Sequence, residues 1–231
     1  MREDRYSNTI RTSPPIFFQI KPIIFAAVGK SASGKDYLAK MLVERIPRLR
    51  PIVSWTTRPP REKEKEGVDY HFATNEEFRE ARRNGEFIEW AKFNNWYYGT
   101  PHSSIQKGEV YVGVFNLDGL SALLHHQDKY QVVPIYMDTP FVVRLSRSIK
   151  REKKFTLEMV RRIFADFNDF CGDRYNSIKK CCRNMDLTFG YRFVEEQPDM
   201  IVSIVWTYIN LLLDCEKSAI LSKPFELEFI E

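Results

Sequence analysis

Eight consecutive residues, Gly29, Lys30, Ser31, Ala32, Ser33, Gly34, Lys35 and Asp36, have types and spacing suited to holding phosphate. In the pattern GxxxxGK, glycines stand where backbone N–H groups must turn inward around phosphate oxygens, and the lysine reaches the terminal phosphates. A helix that begins at the lysine adds the positive end of its dipole. Gly29, Gly34 and Lys35 satisfy the pattern. The following position usually carries a Ser or Thr hydroxyl for Mg²⁺; here it is Asp36. Mg²⁺ takes oxygen ligands and keeps several waters, so Asp36 is the candidate metal ligand.

A phosphate loop needs a strand before it and a helix after it. The run IIFAAV from Ile23 has strand length and stops at Gly29. After the loop, Leu38, Met41, Leu42 and Ile46 fall at i, i+3, i+4 and i+8, one apolar helical face. Val110–Phe115 and Val132–Met137 read as further buried strands followed by helices, an alternation that predicts a central parallel sheet. The expected fold is therefore α/β, a three-layer P-loop NTPase architecture. Residues of about 53–106 differ in character, with Trp55, Pro59-Pro60 and a charged REKEKEG turn. There Thr74 caps a short helix that ends at Gly85, and a strand begins at Glu86. This segment reads as a small insert at the sheet edge. Residues 140–170 are helical and basic, and Pro198-Asp199 marks a late helix start. The expected organisation is a tail over 1–21, one domain over 22–216 with a lid at about 146–157, and a tail over 217–231.

The chain has 231 residues, 43% of them hydrophobic, and a net charge of +4. Mean hydropathy is −0.40 and the isoelectric point is near 8.8. This describes a globular protein suited to an anionic partner, with too weak a basic excess to indicate nucleic acid. Cys171, Cys181, Cys182 and Cys215 lack zinc-site spacing and read as reduced thiols in a cytoplasmic protein. The N-terminal MREDRYSNTIRTSPP has acids and no apolar core of a secretory signal. Met200–Leu213 is interrupted by Ser203, Thr207 and Asn210 and falls short of the ~20 residues that span a bilayer. No membrane association is expected.

Arg58 and Arg61 flank the two prolines. Polyproline II has about three residues per turn, which predicts both guanidiniums on one side, a forked pair suited to a dianionic phosphate. In order along the chain, VSWTTRPPR, GVDYHF, GEFIEWAKF and YYGTP resemble the motifs of guanylate kinases. With the phosphate loop and the basic lid, the resemblance covers about 23–170. It implies that Arg58, Arg61, Tyr70 and Tyr98 hold the GMP phosphate. It implies that Glu89 accepts hydrogen bonds from guanine N1–H and N2–H₂, with Ser54 and Thr100 on the guanine edge. Adenine, with a lone pair at N1 and no 2-amino group, would leave that carboxylate unpaired.

The strand GEVYVGVFN departs from the family pattern of two aspartates one residue apart, placing Val114 and Asn116 there. Asn116 keeps an amide oxygen for the guanine amino group; Val114 can ligate nothing. Arg144, Arg147 and Arg151 fall on one helical face. In nucleotide kinases, lid arginines neutralise the phosphoryl group in flight, and by resemblance Arg147, Arg151 and Arg162 match them. With Lys35 they form the expected catalytic group. The expected reaction is ATP- and Mg²⁺-dependent phosphorylation of GMP or dGMP to GDP or dGDP. Two rivals stand beside it: another nucleoside or deoxynucleoside monophosphate kinase, and a non-catalytic guanylate-kinase-like module that binds phosphorylated partners.

Overall fold

Ile23–Val28 is fully buried along its whole length, because alternate residues face two different cores. Ile23 and Phe25 join one cluster, Ile24, Ala26 and Val28 the other. A strand covered on both faces reads as a continuous apolar run, which is why its sequence shows no alternation. The computed structural model describes residues 21–62, 64–93, 95–181 and 187–217. The expected tails, apart from Lys21 and Lys217, and the Cys182 position lie outside them.

The strand Ile23–Val28 is β1, and the helix Lys35–Arg45 after the phosphate loop is α1. Leu49–Pro51 is β2, Val110–Val114 β7, Gln131–Asp138 β8 and Leu187–Gly190 β9. They form a sheet of order β2-β7-β1-β8-β9, all in parallel pairings. A parallel sheet brings the carboxyl ends of its strands to one edge, where ligands of doubly wound folds bind. Here that edge carries Val28, Val114 and Asp138.

On one face, Leu38, Met41 and Leu42 of α1 meet the sheet beside Ile201, Val205, Ile209 and Leu213 of α8, Pro198–Lys217. The four-residue spacing in α8 is one helical stripe. Ile46 joins the same core, but as an extended residue just past the end of α1 rather than in its last turn. On the other face lie Leu117, Leu120 and Leu123 of α3, Leu117–His125, with Phe170 at the end of α5, Leu157–Phe170, and Ile178 of α6, Asp173–Cys181. Before α5 comes α4, Phe141–Glu152.

The insert builds its own sheet. Trp55–Thr56 (β3), His71–Phe72 (β4), Phe87–Phe93 (β5) and Trp96–Pro101 (β6) pair in the order β4-β3-β6-β5, with β6 antiparallel to both neighbours. Helix α2, Asn75–Arg83, is fixed by a complete capping box between Thr74 and Glu77. Phe78 of α2 stacks on Phe87 and Tyr97 at 4.4 and 5.3 Å, and Ile88 reaches the second core of the main domain. The insert is thus rooted in the domain through β5. A short helix α7, Tyr191–Glu196, follows β9.

Candidate active site

The phosphate loop leaves β1 through Gly29, whose φ of +150° brings the backbone close to β8. A Cβ there would stand 2.8 Å from the Met137 carbonyl oxygen, so only glycine fits. Gly34, at φ +104°, occupies the N-cap of α1 with no side-chain cap, leaving the helix's first N–H groups to an external acceptor. Lys35 opens α1, and its Nζ donates to the carbonyls of Gly29 at 2.8 Å and Lys30 at 3.0 Å. Burial pushes the Lys35 ammonium below its usual value, opposed by the carboxylates of Asp36 and Asp166. Ser33 is wholly buried and its Oγ has no partner. Asp36 is exposed in the first turn of α1.

Ser31 is held from outside the loop. Its N–H donates to both carboxylate oxygens of Asp166, at 2.8 and 3.0 Å, and its hydroxyl to Oδ1 at 3.0 Å. Arg144 pairs with Asp166 at 2.7 Å and reaches the Ser31 carbonyl at 3.3 Å. Sequence reasoning assigned no role to Asp166 and counted Arg144 only as part of a basic face. A signal existed: Asp166 lies seven residues from Met159 and four from Phe170, on the buried face of α5.

The lid arginines separate. Arg147 donates to the Ser33 carbonyl at 3.1 Å and pairs with Glu195 of α7. Arg151 is exposed beside Glu152, and Arg162 is paired with Glu158. Arg161 and Arg162 together hold the Glu158 carboxyl down to about 2. The shared face of Arg144, Arg147 and Arg151 therefore does not put all three on the phosphate loop. Seven residues advance a helix by about 10.5 Å along its axis, which carries Arg151 past the loop that the first two reach.

In the insert, Ser54, Thr100 and Glu89 are brought together. Ser54 Oγ lies 3.1 Å from Thr100 Oγ1, which donates to Glu89 Oε1 at 2.7 Å. Burial pushes the Glu89 carboxyl above the usual carboxylate value, and the bonds from Thr100 pull partly back. Asn116 caps α3, its Oδ1 accepting the Gly119 N–H at 2.7 Å. The amide oxygen expected to meet a guanine amino group thus already holds a helix N-terminus, with one lone pair left. A Cβ at Gly119 would stand 3.3 Å from that oxygen and 3.5 Å from the Glu89 carboxyl carbon, so the two groups border one space.

Arg58 and Arg61 do not project alike. Arg58 turns inward and grips Glu64 with both terminal nitrogens, at 2.8 and 2.9 Å, while its guanidinium lies 5.5 Å from the Tyr70 ring centre. Tyr98 stands near enough to help raise the Arg58 guanidinium above its usual value, and the Tyr70 and Tyr98 rings are 6.2 Å apart. Arg61 gives its backbone N–H to Glu64 while its side chain stays largely in solvent. Glu64, which the sequence reading passed over as part of a charged turn, is the reason: its carboxylate gathers both residues. Burial raises the Tyr70 phenol, and the Asp36 carboxylate raises it further. The insert's phenol therefore feels the phosphate loop's acid across the cleft.

Beside the loop, Ser33, Gly34, Tyr37, Met137, Arg147 and Tyr191 line a cavity of about 260 Å³. Val114, which can ligate nothing, ends β7 partly exposed. Among the described residues, no three His, Cys, Asp or Glu side chains converge on a metal position. A Mg²⁺ carried on nucleotide phosphates needs only one or two protein carboxylates, and Asp36 fits that requirement.

This geometry sets a glycine-rich loop beside an insert carrying Arg58, Tyr70 and Tyr98, and the sequence matches the guanylate kinase family over residues 19–171. The chain belongs to the guanylate kinase family. The guanylate kinase of Helicobacter pylori (strain ATCC 700392 / 26695) is 29% identical over 190 residues, which cover 80% of this chain and 86% of that protein. The guanylate kinase of Chlamydia felis is 35% identical over 134 residues, 56% of this chain. The match spans 64% of that relative's length. The crystal structure of guanylate kinase from Anaplasma phagocytophilum shares the fold, with a TM-score of 0.53 at 23% identity over 83% of this chain and 88% of that one. Family membership accounts for the α/β sheet, the insert and the order of the motifs.

Proposed function

We propose that this protein transfers the γ-phosphoryl group of ATP to GMP or dGMP, yielding ADP and GDP or dGDP. The observation that carries the choice of base is the Ser54–Thr100–Glu89 relay. It presents a carboxylate acceptor flanked by hydroxyls, complementary to the N1–H and N2–H₂ edge of guanine and unmatched by adenine. Arg58, Tyr70 and Tyr98 seat the monophosphate, with Arg61 joining from solvent. An oxygen of that phosphate is the nucleophile, attacking the γ-phosphorus as the bond to the β-phosphate oxygen breaks; no protein nucleophile is required. Catalysis is positioning and charge neutralisation. Gly29, Lys30, Ser31, Ala32, Ser33 and Gly34 form the donor cradle, Lys35 and Arg147 supply charge from the start, and Arg151 and Arg162 join by lid closure.

Asp36 would hold Mg²⁺, directly or through water, and the ion would supply positive charge against the donor phosphates. Among the described residues, no helix is long and apolar enough to cross a membrane, and a cytoplasmic enzyme acting on free nucleotides is the proposed setting. The loss of a strand carboxylate at Val114 favours one second reading, a non-catalytic module that binds phosphorylated partners. An ADP-release assay across the common nucleoside monophosphates separates the two. Turnover with GMP or dGMP and not AMP is expected; binding of GMP without turnover of any monophosphate would establish the module.

A further inference from the structure

We infer that Asp166 and Arg144 are positioning residues for the donor nucleotide, forming a clasp that sets the first half of the phosphate loop and ties it to the base of the lid. Both side chains are about nine-tenths buried, and nothing in the proposed reaction requires either to touch substrate.

Asp166 takes the Ser31 N–H and hydroxyl. Arg144 neutralises it, and its Nε and Nη1 satisfy the carbonyls of Thr139 and Ser31 at 3.2 and 3.3 Å. Thr139 in turn donates its hydroxyl hydrogen to the Ser33 carbonyl at 2.8 Å. Residues on both sides of Ala32 are thereby fixed, and Ala32 itself sits at φ +59°. A non-glycine residue holds that backbone conformation when its surroundings over-determine it. Arg144 stands on α4 and Asp166 on α5, the two helices that carry Arg147, Arg151 and Arg162. The loop and the lid's base therefore share one buried ion pair.

Two consequences follow for donor binding. The Ser31 N–H is already engaged, so Ser31 shapes the cradle while the cradle's other N–H groups and Lys35 meet the phosphates. The Asp166 charge also reaches Lys35, favouring its ammonium form, while the Arg144 charge opposes it. A buried carboxylate this near a polyanion is tolerable only because Arg144 offsets it.

The inference rests on the proposed use of the loop for ATP, and the test keeps the two apart. Dissociation constants for ATP and for GMP are measured separately on the wild-type chain and on Asp166→Asn, whose amide keeps the shape and loses the charge. A rise of about tenfold or more in the constant for ATP, with that for GMP within twofold, is expected; a residue of merely structural importance would not separate the ligands. Equal ATP binding by wild type and Asp166→Asn overturns the clasp alone, whereas no ATP binding by the wild type overturns the reading of the loop as well. Amide exchange at Ser31 in the wild-type chain covers the case in which the variant does not fold. Slow exchange both without and with ATP supports the clasp, and fast exchange that becomes protected only with ATP overturns it.

Discussion

The Thr100 hydroxyl donates to the Glu89 carboxylate over 2.7 Å from the position directly opposite it on the neighbouring strand. The ladder slips between Phe87 and Glu89, a bulge of the kind that re-aims a side chain, and Glu89 ends up half-buried beside Ser54 and Thr100 instead of in solvent.

Glu89→Gln keeps the shape and loses the charge. Hydrogen bonds to charged groups contribute about 1.5–3 kcal/mol each, so kcat/KM for GMP should fall by about tenfold to a hundredfold. Discrimination against AMP should shrink with it. Steady-state kinetics with both monophosphates measure the ratio; an unchanged ratio would remove Glu89 from base recognition.

The same carboxylate should leave a mark on pH profiles. Burial raises its folded pKa above the usual 4.5, so the folded chain holds this proton more tightly than the unfolded one. Its effect on stability then opposes folding above the raised value and fades as pH falls through it toward 4.5. Guanine needs the ionised form, so KM for GMP should climb as pH falls through that raised value, earlier than an ordinary glutamate would cause. Glu89→Gln should lack this inflection.

Lys35→Ala removes a charge required mainly in the transition state. A fall in kcat of about a hundredfold or more is expected, with KM for GMP little changed because Lys35 Nζ bonds the loop carbonyls of Gly29 and Lys30. Single-turnover measurements would place the loss on the chemical step.

Asp36 and Val114 should behave as a compensating pair. Asp36→Ser alone should raise the Mg²⁺ concentration that gives half-maximal rate, and adding Val114→Asp should partly restore it. Wild-type activity of Asp36→Ser at low Mg²⁺ would show that the aspartate is not a metal ligand.

Gly99→Ala tests the packing beneath the guanine site. A Cβ there would meet Phe87 Cδ1 at 2.9 Å, Phe78 Cζ at 3.0 Å and the Glu89 carbonyl oxygen at 3.1 Å. Overpacking of this kind costs about 1–3 kcal/mol, which denaturant titration should detect. KM for GMP should rise too, since the Glu89 backbone must shift.

Local rules made several parts of this protein legible in the sequence. The apolar run at Ile23, the glycine spacing of the loop, the Thr74 cap and the periodicity of α1 depend on residues a few positions apart, so near neighbours sufficed to define them. The guanylate-kinase-like motif order was legible for the same reason, each motif being a short contiguous phrase. What decided the rest was contact across long separations. Asp166 meets Ser31 across 135 residues, and Glu195 meets Arg147 across 48. Even the short separation from Arg58 to Glu64 misled, because two like-charged neighbours beside prolines say nothing of the carboxylate that draws one of them inward. Helical phase placed Arg151 with Arg147, but only the position of the phosphate loop along α4 determined which of them reaches it. Burial chose the partners: a charge removed from water must find an opposite charge or a hydrogen-bonding group wherever the folded chain brings one, and that location is a property of the packed layers, not of the order of residues.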